Sequence, residues 1–178
     1  MRLAPMFFAA LLALQSLVSN PATAQEGQLL VEHPDVDVEG LSFSRKRRVL
    51  TTARWVTAKT ERRFFDADTE AMFRDVEAKL PGYEIEFTSM NKAEDKFIVA
   101  SFSDRTRGKR YLYDTTTKQL EFLADITPWL PEDRLAAMTP VQYKSRDGLT
   151  IHGYLTLPKD VSPVNLPVVV NVHGGPWA

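Results

Sequence analysis

Apolar positions in this 178-residue chain change their spacing several times, and each regime predicts a different element. Met6 to Val18 is a nearly unbroken apolar run. Residues 49–66 and 97–114 carry short strand-like stretches separated by polar turns. Between them Met72, Phe73, Val76 and Leu80 recur at helical spacing, with Asp68 or Thr69 placed to cap the start and Pro81-Gly82 to end it. A short amphipathic helix is therefore expected over 68–80. A second is expected from Pro131 to Ala137, where Glu132 and Asp133 suit a first turn. Beyond Pro140, residues 141–145 and 150–157 flank Arg146-Asp147-Gly148, and Asp-Gly between strand-like runs predicts a hairpin. Val168-Val169-Val170-Asn171-Val172 is apolar on both faces, as in a strand at the middle of a helix-covered sheet.

Two of these segments resemble each other. Val49 to Asp66 aligns with Phe97 to Asp114 at a constant offset of 48 (97 − 49 and 114 − 66), without a gap. Each has an apolar inner strand, a hairpin and a return strand that ends in aromatic residues and an Asp. Leu120 to Leu123 supplies an outer strand to the second copy. A period of about 40 to 50 residues built from short strands is characteristic of β-propeller blades. The expected architecture is mainly β: about two blade-like units over 25–135, then the first strands of an α/β domain over 136–178. The change from one-sided to two-sided strands places the boundary near 125–140.

The N-terminal run changes where the mature chain is expected to begin. Arg2, the apolar stretch to Val18 and the small residues Ala22-Thr23-Ala24 have the three-part layout of a secretory leader cleaved after Ala24. Secretion to the periplasm or the medium is expected over 25–178, with no membrane association after cleavage. The chain holds no cysteine, so disulfides and thiolate metal sites are excluded. A net charge of −1 offers no field for nucleic acid. His33, His152 and His173 lack metal-ligand spacing, and neither a metal nor any other cofactor is expected. Arg45-Lys46-Arg47-Arg48 reads as a solvated turn between strands, and Asp66 and Asp114 as Asx turns. Ser101, Ser103 and Ser145 lack the elbow sequence of a serine nucleophile.

The candidate chemistry lies in residues 173–177. After the apolar run, His173-Gly174-Gly175-Pro176-Trp177 has the form of a loop that builds half of an oxyanion hole. A backbone N–H there must come within about 3 Å of an oxygen that gains charge in the transition state, which a Cβ would obstruct. No Gly-x-Ser-x-Gly occurs in the 178 residues, so no catalytic residue is assigned.

Asp125 to Leu130, Arg146 to Pro158, Val168 to Val172 and His173-Gly174-Gly175-Pro176-Trp177 together resemble the prolyl oligopeptidase family of serine peptidases. The resemblance is to its acylaminoacyl-peptidase and dipeptidyl-peptidase-like branch. It implies a propeller that restricts access to a Ser-Asp-His hydrolase domain, with a peptide as substrate. It also implies that this chain is a fragment of the enzyme. In the resemblance the Gly175 N–H points at the oxyanion, Gly174 permits the turn, and His173 and Pro176 shape the loop. An esterase of the same fold and a non-catalytic secreted β-rich binding module are the alternative readings.

Overall fold

The computed structural model describes residues 28–172. The expected leader, and His173, Gly174, Gly175 and Pro176, lie outside the described residues. The chain divides into two compact units. One runs to Ser101 and takes in Lys109–Ala124; the other combines Phe102–Gly108 with the residues from Asp125 onward.

In the first unit, β1 (Gly40–Ser44), β2 (Val49–Val56) and β3 (Thr60–Phe64) form an antiparallel sheet in chain order. The helix α1 (Ala67–Lys79) follows. A second sheet, also in chain order, contains β4 (Glu84–Met90), β5 (Lys96–Ser103), β6 (Thr106–Asp114) and β7 (Leu120–Asp125). The described chain is mainly β, its sheets are antiparallel, and it contains no closed barrel. The 48-residue offset maps β2 onto β5 and β3 onto β6. Shifted back by 48, β7 falls on residues 72–77 (120 − 48 and 125 − 48), and those residues belong to α1. The helix thus follows β3 where a fourth strand follows β6.

Local chemistry explains that substitution. Helix α1 begins one residue earlier than its spacing predicts, because Asp66 rather than Asp68 or Thr69 is the cap. The Asp66 carboxylate accepts from the Thr69 N–H at 2.9 Å, which satisfies a donor of the first turn. At the other end Gly82 takes φ +85°, a left-handed value that glycine adopts without a Cβ clash. One face of α1 then supplies Phe73 and Val76 to a core with Ile85 of β4, Val99 of β5 and Tyr113 of β6. Phe73 meets Phe64 and Phe87 edge-on at 5.2 and 4.6 Å between ring centres, a favourable quadrupole geometry. The Tyr113 hydroxyl is not orphaned, since it donates to Asp75 at 2.6 Å.

In the second unit, β8 (Met138–Lys144) pairs antiparallel with β9 (Thr150–Thr156), from Met138 opposite Thr156 to Lys144 opposite Thr150. The expected Asp-Gly turn joins them, with Gly148 at φ +87°. Asp104 in the β5–β6 turn accepts from the Met138 N–H at 2.6 Å, tying that turn to the start of the hairpin.

Two expected elements differ from the structure. The helix over 131–137 is a single 3-10 turn, Glu132–Arg134, because Leu135 is already extended and the segment buries no side chain. So short a helix without tertiary packing is not stable. Val168 to Val172 is not a strand: the four valines are 78 to 94% exposed, and no described strand pairs with them. Extended chain becomes sheet only through a partner's hydrogen bonds. All the buried apolar side chains among the described residues belong to the first unit.

Candidate functional site

The residues singled out for chemistry, His173 to Pro176, are not among those described. The structure describes the segment that leads into them, which is exposed and apolar.

Within the first unit the described residues form a cleft of about 700 Å³ between β1, β4 and α1. That volume lies in the range of small-molecule sites. One row of the three-stranded sheet runs along it: Gly40 of β1 lies opposite Arg54 of β2, and Arg54 lies opposite Arg62 of β3. Opposed residues of antiparallel strands share a face, so the two guanidinium groups are set side by side. Arg54 pairs with Glu86 of β4 at 3.0 Å. Arg62 instead donates to the Ile85 carbonyl at 3.0 Å and lies over the Phe73 ring at 5.1 Å. Burial, aided by the neighbouring Arg54 charge, pulls the Arg62 pKa down, although Glu86, Glu77 and Glu84 act in the opposite direction. Two like charges on one row repel, and at Arg62 the attraction of Glu86 exceeds the Arg54 repulsion, so burial is what lowers the pKa.

At the end of the cleft, the basic turn contains more than solvated cations. Arg47 donates to both Asp66 oxygens at 2.7 Å, to Asp68 at 3.3 Å and to Thr69 Oγ1 at 3.2 Å. Held first by Arg47 and then by the Thr69 donors, the Asp66 carboxyl falls to about 2. The Ser44 hydroxyl and the Lys46 backbone N–H donate to Glu94, whose pKa is lowered chiefly by the Ser44 hydroxyl, while the Lys46 ammonium donates to the Ala93 carbonyl. The second copy repeats the device of Asp66. Lys96 pairs with Asp114, which also accepts from the Thr116 and Thr117 N–H groups at 2.9 and 3.1 Å and likewise falls to about 2. Both aspartates therefore hold their own backbone, as the sequence suggests.

Sequence reasoning left Arg54 unremarked and read Arg47 as a solvated turn. The signal for Arg54 is the hairpin register: turning the chain at residues 57–59 brings it opposite Arg62. The other candidates have local roles. His33 lies beside Trp55 at 5.7 Å and accepts from the Asp35 N–H at 3.2 Å. His152 lies 3.2 Å from the Gln142 amide across β8 and β9. Ser101 is buried in β5, while Ser103 and Ser145 bond within their own turns. Among the described residues no group of three or more His, Asp or Glu side chains could hold a metal ion, and no helix is long and apolar enough to cross a membrane.

Comparison with known proteins gives one informative similarity. Dipeptidyl aminopeptidase BIII of Pseudoxanthomonas mexicana is 28% identical over 171 residues, covering 92% of this chain and 23% of that protein. The chain thus spans less than a quarter of the length of that relative. No family model matches the chain, and no solved structure matches it. The similarity supports a distant relationship to a peptidase.

Proposed function

We propose that this chain is the junction between a β-propeller and the hydrolase domain of a secreted serine peptidase that cleaves short peptides. The observation that carries the reading is His173-Gly174-Gly175-Pro176, placed directly after an apolar run and downstream of an Asp-Gly hairpin. Similarity to a dipeptidyl aminopeptidase supports it. The 48-residue correspondence of β2-β3 with β5-β6 supports the propeller, with α1 standing in for one outer strand.

On this reading β8, β9 and residues 168–172 join one sheet, and the exposed valines are covered when its remaining strands and helices are present. The Gly175 N–H donates to the carbonyl oxygen as a serine elsewhere in the enzyme attacks. A base takes the serine proton as the new C–O bond gives a tetrahedral oxyanion; collapse breaks the C–N bond, that proton passes to the departing amine, and water then hydrolyses the acyl-enzyme. Gly174 permits the turn, and His173 and Pro176 fix its shape. Residues 1–24 direct export and are removed after Ala24.

The test uses the complete protein encoded by the gene. Dipeptidyl anilides should be hydrolysed, and a fluorophosphonate should label one serine and stop turnover. Hydrolysis of short-chain esters with no amide cleavage would replace the peptidase reading by an esterase. A protein that neither reacts with the probe nor turns over either substrate would be a binding module.

A further inference from the structure

We propose that the cleft between β1, β4 and α1 binds a small carboxylate with an apolar body, held by the row Gly40, Arg54 and Arg62. The charge balance supports an anion. Five cationic side chains line the cleft against three carboxylates, Asp68, Glu86 and Glu94, although the whole chain carries −1. Those carboxylates are engaged: Asp68 by Arg47, whose shorter bonds go to Asp66 outside the lining, Glu86 by Arg54, and Glu94 by the Ser44 hydroxyl and the Lys46 backbone N–H. Arg62 has no carboxylate within ion-pair distance among the described residues, and its guanidinium uses one nitrogen on the Ile85 carbonyl. The opposed strands bring the Cβ atoms of Arg54 and Arg62 to about 5 Å, so one carboxylate can bridge both side chains.

Gly40 is part of the site because it leaves room. A Cβ there would come within 3.3 Å of Arg54 Nε and 3.7 Å of its Cγ, so Arg54 lies across the space that a side chain would fill. Phe87 and Met72, both only partly buried, also line the cleft and supply apolar surface beside the cationic row. An anion with no apolar part would leave that surface uncovered. The inference is independent of the peptidase reading, since none of these residues belongs to the proposed catalytic loop.

The experiment is isothermal titration of the intact chain with N-acetyl-Leu-Phe bearing a free carboxylate, with its C-terminal amide, and with phenylpropionate. The free carboxylate should bind saturably, and the amide at least about tenfold more weakly, since a charged hydrogen-bonding partner is lost. Arg62→Gln should remove that preference, Gly40→Val should weaken the carboxylate by displacing Arg54, and Arg107→Gln should change nothing. Melting curves confirm that each variant is folded. Binding of the peptide acid alone would mark a peptide C-terminus as the ligand, and binding of both acids a general carboxylate site. Equal affinity for acid and amide, an unchanged Arg62→Gln, or no saturable binding would overturn the proposal.

Discussion

Arg47 holds Asp66 with both terminal guanidinium nitrogens, each at 2.7 Å, while the same carboxylate caps α1 through the Thr69 N–H. One side chain therefore fixes the β1–β2 turn and starts the helix that closes the core. Asp66→Ala should lower stability by about 1–2 kcal/mol through the lost cap, with a smaller addition from the ion pair. Asp66→Asn keeps a capping oxygen and should lose about half as much. Urea denaturation of the three proteins checks this, and equal loss in both variants would show that the cap contributes nothing.

Acid should weaken the fold through the same group. The folded Asp66 carboxyl sits at about 2, below its unfolded value of about 3.9, so its contribution is complete above pH 4 and is lost as the pH falls toward 2. Asp114 acts in the same direction. The denaturation midpoint of the wild type should fall across this window, and its advantage over Asp66→Asn should shrink. Curves that run parallel from pH 5 to pH 2 would contradict the assignment.

Helix α1 should be indispensable to the first unit. Phe73 packs against two rings and under Arg62, so Phe73→Ala should cost about 3–5 kcal/mol. Tyr113→Phe removes only a hydroxyl donor and should cost about 1 kcal/mol, because Lys79 still engages Asp75. The order of the two denaturation midpoints is the check.

The β8–β9 turn tests backbone conformation free of packing. A Cβ at Gly148 meets nothing within 4 Å, yet its φ of +87° is unfavourable for any L side chain. Gly148→Ala should therefore cost about 1 kcal/mol locally, seen as faster amide exchange at Ser145 and Gly148, whose N–H groups bond across the turn. Unchanged exchange would mean that the turn takes another form in solution.

What was legible in the sequence was what neighbouring residues decide. The spacing of Met72, Phe73, Val76 and Leu80 located α1 to within a residue, and Asp147-Gly148 located the hairpin. The cap was misplaced because Asp66, Asp68 and Thr69 all suit the position. The choice rests on Arg47, which comes from another turn. The cationic row escaped notice for the same reason: Gly40, Arg54 and Arg62 become neighbours only when three strands pair. Val168 to Val172 reads as a buried strand by composition, but burial needs a partner that composition cannot supply.

The most direct test of the peptidase account is the effect of Gly175→Ala on the complete gene product. The Cβ should obstruct the oxyanion donor, lowering kcat for a dipeptidyl anilide by about 10²–10³ with KM and melting temperature little changed. Fluorophosphonate labelling of the serine should slow in parallel. A variant as active as the wild type, or a wild type that releases no dipeptide, would contradict the account.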